Sequence, residues 1–457
     1  MSNPEMTLNE KTKSMKQEAV LLDYKQTEVG IIPKDWIVLD IAKTMKLING
    51  YGFKPSQWEK EGLPIIRIQN LNDANAPYNY FPGVIDTKFH VKNGDLLFAW
   101  SGSKGVSFGA RVWQGKKAIL NQHIFKIIPN ENFITANYSY YVLRKVQEQI
   151  EKMAHGFKSS FVHVKKGDLE NTPLPIPPKK EQTAIANVLS DTDALITELE
   201  KLIAKKQAIK TATMQQLLTG RTRLPQFAKH PDGTTKGYKT SEVGQIPEDW
   251  NTVSIYELAD KQKAKFDDGD WIESEHITDK GIRLIQTGNI GVGQFLDKES
   301  KKYISETSFE QLRCKELQIG DLLICRLAEP AGRACIFPDI SESKVITSVD
   351  VTIFRPDNNR ANRQFLSQYF SSSEWFKNVH EQVGGTTHKR ISRGALGKII
   401  VPCPTVKEQT AIATILSDMD AELEALEQKL AKFRDIKQGM MQQLLTGRIR
   451  LPLAHQP

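Results

Sequence analysis

The sequence predicts an α+β chain in which two β-rich segments are joined by two long helices paired as an antiparallel coiled coil. Three observations predict it. The stretch "MQQLLTGRTRLP" (Met214–Pro225) returns as "MQQLLTGRIRLP" (Met441–Pro452) with one letter changed. The two copies extend backwards to Lys180 and Lys407, with 29 of 46 positions identical. Each copy follows a diverged segment with a shared opening, "YKQTEVGIIPKDW" at Tyr24 and "YKTSEVGQIPEDW" at Tyr238. A repeat distance of 227 residues is too long for a solenoid and fits duplicated domains doing two versions of one task. The layout is an N-terminal extension (1–23), a first variable segment (24–179), a central helical region (180–220), a linker (221–237), a second variable segment (238–406), a distal helical region (407–447) and a tail (448–457).

The first variable segment and its partner read as β-rich with helical insertions. Short runs at Pro64–Ile68, Asp95–Trp100 and Ile346–Phe354 carry Val, Ile and Phe between turn-forming residues, as strands do. Weaker echoes keep their order across the halves: "PIIRIQNLND" answers "IRLIQTGNI", and "NGDLLFAWSGSKG" answers "IGDLLICRLAEPAG". Helices are expected over Asn137–Ala154 and Asn362–Val383, each followed by a loop of small and basic residues, His155–Lys166 and Gly384–Arg393. Trp36 and Trp250 hold matching positions in the two openings and are expected to be core anchors.

The helical regions are rich in Ala, Leu, Glu, Lys and Gln, and free of Pro from Glu181 to Leu224. In the distal copy, apolar residues alternate at steps of four and three through Leu416, Leu423, Leu426, Leu430 and Phe433, the seam of a coiled coil. The central seam, through Leu189, Ile196, Leu199 and Ile203, is patchier. Neither stripe buries itself alone, so each is the natural partner of the other. Ser190-x-x-Asp193 and Ser417-x-x-Asp420 either start a helix as capping boxes or lie on the solvated face of one continuous helix. Gly220 and Gly447 stand where a left-handed cap residue belongs, the following Arg-x-Arg suits the negative end of the helix dipole, and Leu-Pro forbids continuation. A helix from Glu181 to Leu218 would be about 57 Å long at ~1.5 Å per residue, a ruler between two domains.

Bulk properties limit the function. The net charge is +8 and the pI is near 9.0, which permits nucleic-acid binding without requiring it. Charge is uneven: Tyr24–Lys179 holds 21 Lys+Arg against 13 Asp+Glu, and Tyr238–Val406 holds 22 against 24. A second segment that meets DNA must therefore do so through a local basic cluster, and Gly384–Arg393 supplies one. No apolar run approaches the roughly 18 residues of a membrane span, and the first residues lack a signal-peptide core; the cytoplasm is the expected location. Cys314, Cys325, Cys335 and Cys403 form no C-x-x-C and are expected to be free thiols, with no metal site. No catalytic constellation is expected. "GARVWQGKK" has the wrong spacing for a phosphate loop, and "GNIGVG" for a dinucleotide loop.

The P-x-x-x-E-Q-x-x-I entry at Pro177–Ile185, its near copy at Pro404–Ile412, the two "MQQLLTG" exits and the "EVG-x-IP-x-DW" openings together resemble the specificity (S) subunit of type I restriction-modification systems, over about Tyr24–Pro452. The resemblance implies that the variable segments are target recognition domains, each reading one half of a split site in double-stranded DNA. It implies helices that set the distance between the halves, two docked methyltransferase (M) subunits, and restriction (R) subunits joining them. The M subunits would methylate adenine with S-adenosylmethionine, and the R subunits would use ATP with magnesium to translocate and cut DNA. This chain would carry no active site and no cofactor. Two features depart from the pattern: the first 23 residues have no counterpart between the halves, and the second segment is slightly acidic.

Bases are read by Arg or Lys to guanine, Asn or Gln to adenine, and apolar groups to thymine methyls, while phosphate contacts only position the protein. Loops next to expected strand ends and the basic loops supply the candidates. In the first segment these are Lys54, Arg67, Gln69, Asn70, Lys104, Arg111, Lys158, Ser159 and His163. In the second they are Lys265, Arg283, Gln286, Asn289, Arg326, Arg333, Thr387, His388, Lys389, Arg390 and Arg393.

Overall fold

The computed structural model describes residues 23–73, 76–153, 161–327, 329–384 and 389–452. Two compact units form. Unit 1 comprises the residues up to Leu199 together with those from Lys429 onward, and unit 2 is Glu200–Gln428. Each contains a hairpin, a closing strand pair and two four-stranded sheets.

In unit 1 the opening motif is a hairpin, Tyr24–Thr27 against Gly30–Pro33. Ile37–Asp40 then pairs with Pro173–Ile176, so the end of the variable segment returns to its start. Between them lie two four-stranded sheets. One is antiparallel, in the order Gly109–Val112, Leu96–Ala99, Ile124–Pro129, Met45–Asn49. The other holds Asn79–Phe81, Leu63–Ile66, Ala118–Leu120 and His90–Val91, with the middle pair parallel. Leu96–Ala99 is buried throughout, facing one core through Phe98 and another through Leu97 and Ala99. An apolar run without alternation is what a strand covered on both faces requires.

Unit 2 repeats this order. Its hairpin is Tyr238–Ser241 with Gly244–Pro247, and its closing pair is Asn251–Ser254 with Ile400–Cys403. The antiparallel sheet runs Phe266–Asp268, Val351–Phe354, Leu322–Cys325, Ala334–Ile336. In the second sheet, Ile282–Ile285 is parallel to Val345–Thr347.

The long helices are Lys179–Leu218 (40 residues) and Val406–Leu444 (39 residues). Each is continuous, so Ser190 and Ser417 lie within helix and cap nothing. Of the two readings of those motifs, the continuous helix is the one formed. None of the seam residues Leu189, Ile196, Leu199, Ile203, Leu416, Leu423, Leu426, Leu430 and Phe433 is exposed. Within each unit the helices run antiparallel. In unit 1, Glu181 meets Arg450 and Asp193 meets Lys437. In unit 2, Lys206 pairs with Glu422, Lys210 with Asp420, and Arg223 with Glu408. The Lys–Glu pair is half-exposed and adds no more than about 1 kcal/mol; buried apolar side chains on the stripe contribute about 1.5–3 kcal/mol each.

Several local expectations are corrected. The helix expected over Asn362–Val383 is two, Arg363–Tyr369 and Ser373–Glu381, because the Ser372 hydroxyl accepts from the Trp375 N–H and starts a new helix. The run Ile346–Phe354 is two strands of different sheets, Val345–Thr347 and Val351–Phe354. The strand at Pro64–Ile68 stops at Ile66 and turns into a short helix, Ile68–Asn72. All four cysteines are free. Among the described residues no helix is long and apolar enough to cross a membrane.

Candidate nucleic-acid interface

The repeated motifs meet at one buried point in each unit. In unit 1 the Glu181 carboxylate, 1% exposed, accepts from the indole N–H of Trp36 at 3.0 Å and from Arg450 Nε and Nη2 at 3.0 and 2.6 Å. Arg450 also reaches Asp35 through Nη1 and Nη2, at 2.9 and 2.7 Å. In unit 2 the same parts recur in the same roles. Glu408 accepts from Trp250 at 3.0 Å and from Arg223 at 2.7 and 2.9 Å, and Arg223 forks onto Asp249 at 2.8 and 3.2 Å. Burial works against the Arg223 charge, but its hydrogen bonds to Glu408 and Asp249 outweigh it and raise its pKa.

The adjacent glutamine does a second job. Gln182 accepts from the Thr135 N–H at 2.8 Å and donates to the carbonyls of Phe133 and Pro177. Gln409 accepts from the Asn362 N–H at 2.7 Å and donates to Arg360 and Pro404. The "E-Q" of each helix entry thus fixes the helix to its own unit, and the helix exit locks beside it. Gly220 and Gly447 have φ of +71° and +68°, and a Cβ there would stand 2.5 and 2.4 Å from Cδ of Pro247 and Pro33. Met214, Leu217 and Leu218 pack into the core of unit 2, and Met441, Leu444 and Leu445 into that of unit 1. Beyond suiting the negative end of the helix dipole, the second arginine of each Arg-x-Arg is held by two carboxylates. A repeated Asp-Trp, Glu-Gln and Arg-x-Arg at matching distances was the signal for this association.

The candidate base-reading residues divide by burial. Arg283 and Arg326 are corrected: they are 1% and 2% exposed and are held inside unit 2. Arg283 donates to Asp297 at 2.9 Å and lies over the Tyr303 ring. Arg326 Nε is 3.1 Å from Asp268, and its Nη atoms donate to the carbonyls of Ile391 and Val349. Asn70 and Asn289 are also corrected. Both are buried, and each Oδ1 accepts the N–H three residues before it, of Arg67 and Gln286. Arg111 is half-buried and donates to the carbonyls of Ala110 and Val106; Arg333 donates to those of Ile290, Thr287, Leu327 and Pro330. Both brace loops. Burial lowers the Arg111 pKa, with the Arg144 charge adding to it.

The remaining candidates stay nearer the surface. Lys54 and Gln69 are exposed, and Gln69 donates to the Pro77 carbonyl at 3.0 Å. Arg67 is half-buried, its guanidinium 4.9 Å from the Trp58 ring centre and its Nη1 donating to Asn79. Lys104, Lys265 and Gln286 are half-buried, with Lys265 donating to Asp260 at 2.6 Å. His163 is exposed and meets Trp100 edge-on at 4.9 Å, while Trp100 also packs on His123 at 5.1 Å. Arg67, Gln69, Asn121 and His123 line a small cleft of about 150 Å³. In unit 2, Lys389 and Arg390 are exposed; Arg390 pairs with Asp350 at 2.9 Å, and half-buried Arg393 pairs with Asp267. The basic cluster is therefore largely balanced by carboxylates of its own unit. Lys158, Ser159, Thr387 and His388 lie outside the described residues. Among the described residues no group of three or more His, Cys, Asp or Glu side chains is placed to hold a metal ion.

The comparisons agree with this duplicated frame. The family model described as type I restriction modification DNA specificity domain matches twice, at 33–211 and 247–432. The chain is 28% identical over 438 residues to the type I restriction enzyme MjaVIII specificity subunit of Methanocaldococcus jannaschii, covering 94% of this chain and 96% of that one. It is 24% identical over 436 residues to the EcoBI specificity subunit of Escherichia coli, covering 92% and 87%. The crystal structure of the type I restriction-modification S subunit from M. genitalium has the same fold, with a TM-score of 0.54 at 17% identity over 90% of this chain and 96% of that one. Two matched copies spanning most of its length, each closed by the same Trp–Glu–Arg lock, make this chain a member of the type I restriction-modification DNA specificity family.

Proposed function

We propose that the chain is the non-catalytic DNA-specificity subunit of a type I restriction-modification complex. Its recognition domains, 24–179 and 238–406, each read one half of a split duplex site. The paired helices fix the unread gap and offer methyltransferase subunits a docking frame, to which restriction subunits add. S-adenosylmethionine and ATP are then used by those partners. The observation that carries this reading is a lock built identically in both units, around loops whose exposed side chains differ between them. A scaffold that must hold two different readers in one framework needs that division.

The test is co-expression with the methyltransferase subunits, followed by sequencing of methylated positions. A split word with a fixed gap is the expected result. Failure to co-purify, or methylation without a split word, counts against it. Purified chain that cuts or methylates DNA alone would overturn the scaffold reading. Inserting four residues after Ala204 should lengthen the helix by about 6 Å; the gap should grow while both words stay the same. Binding should also weaken steeply with salt, because phosphate contacts release counterions.

A further inference from the structure

The two units can be superposed residue by residue through their backbone hydrogen bonds, without using sequence identity. Asn121 N–H donates to Ile66 and Ser348 N–H to Ile285. Trp100 N–H donates to His123 and Arg326 N–H to Asp350. Val164 N–H donates to Trp100 and Ile391 N–H to Arg326. Asn70 and Asn289 cap the same turn, as described above. These bonds make Arg67 equivalent to Gln286, Gln69 to Gly288, Gln122 to Val349, His123 to Asp350, Trp100 to Arg326 and His163 to Arg390.

At one place on an unchanged backbone, then, the chemistry changes class. Unit 1 presents amides and rings: exposed Gln69 and Gln122 beside Trp100, His123 and His163. Its one guanidinium there, Arg67, is turned to Trp58 and Asn79. His123 Nδ1 is buried with no hydrogen-bond partner among the described residues. Unit 2 lacks both exposed amides and instead presents Arg390, whose side chain is 44% exposed and steadied on one edge by Asp350. Arg326 takes the position of Trp100 and supports the segment that carries Arg390 through its Ile391 contact. This gives the buried Arg326 a place in the site it was expected to serve directly.

We propose that this position is the base-reading site of each unit, and that it reads adenine in unit 1 through Gln69 and Gln122 and guanine in unit 2 through Arg390. The proposal rests on the functional reading above and adds which residues discriminate. Gln69 Nε2 donates to the Pro77 carbonyl and Gln122 Nε2 lies 3.1 Å from His123 Nε2. Each amide thus keeps a second N–H to donate to adenine N7 and its oxygen to accept from adenine N6, whereas a guanidinium presents paired donors that match guanine O6 and N7. Asp350 Oδ1 stands 2.9 Å from Arg390 Nη2 as an ion pair and accepts no hydrogen bond from it, so the guanidinium N–H groups stay free of it to face a base.

The experiment uses the full chain in complex with its methyltransferase subunits, selecting from DNA duplexes in which both words are randomised. Gln69→Ala and Gln122→Ala should each lose adenine preference at one position of one word, by about 5- to 150-fold, and leave the other word intact. Arg390→Gln should lose guanine preference in the other word to the same degree. Arg390→Lys should also lose it, because a point charge lacks the fork, while keeping the salt dependence of binding. Selected words identical to those of the parent chain overturn the proposal. So does an even loss of affinity over all sequences with a salt slope smaller by about one, the mark of a phosphate contact. A parent complex that selects no word at all overturns the functional reading itself, and this inference with it.

Discussion

Replacing Glu408 by alanine removes the acceptor on which Trp250 and Arg223 converge. Arg223 is 6% exposed, so its guanidinium cannot rehydrate and keeps only Asp249. Cutting one partner from a buried ion pair costs about 3–5 kcal/mol, and the stranded indole N–H is part of that figure. Glu181 is buried as deeply, but Arg450 is 38% exposed and regains water once released. Glu181→Ala should therefore cost less, about 1–3 kcal/mol. Hydrogen exchange of the full chain, read peptide by peptide, reports each unit by itself. Glu408→Ala should speed exchange in unit 2 by about a hundredfold to several thousandfold, since every 1.4 kcal/mol is a factor of ten. Glu408→Gln keeps an acceptor for Trp250 and should fall between the parent chain and the alanine variant. Equal effects from the two alanine variants, or a glutamine as damaging as alanine, would refute the burial argument.

Gly447→Ala forces a Cβ against Pro33 at a positive φ and should cost at least about 1–2 kcal/mol; thermal unfolding of unit 1 checks it. Lys145 is desolvated, lies near Arg448 and donates to the Leu445 carbonyl, and burial with that charge pulls its pKa down to about 8. A lowered folded-state pKa means the unfolded chain binds the extra proton between pH 8 and its ordinary value. Stability should thus rise as pH increases from about 8 to about 10.5, by at most ~3 kcal/mol. Lys145→Met should flatten that rise when denaturant unfolding curves of the two proteins are subtracted across the pH range.

The long helices were legible because a buried stripe writes its own period into the sequence. Lys206, Lys210 and Lys437 continue the same steps of four and three as polar residues, and Glu422, Asp420 and Asp193 answer them. The break at Ser372 was less legible, since the apolar spacing continues across it and only a serine cap marks the restart. The buried arginines were beyond local reading. Arg283 looks like any basic residue beside a strand end until Asp297 is brought to it, and Arg326 until Asp268 arrives from a different strand. Whether a guanidinium faces a carboxylate or solvent is decided by tertiary pairing, so a list of basic residues overstates a DNA surface. Arg390 and Arg393 carry the same lesson, because the acidity that made unit 2 an unpromising DNA binder is partly spent holding them.

The lock in unit 1 has a temporal side. Glu181 and Trp36 leave the ribosome long before Arg450, whereas unit 2 needs nothing beyond Gln428. During synthesis the second unit can therefore close first, while in the first the Glu181 carboxylate waits for Arg450, the cation it is buried against. At about 5–20 residues per second the wait from Leu199 to Lys429 lasts on the order of ten seconds or more. In that interval unit 1 is the half exposed to proteases and chaperones, although it is the half made first.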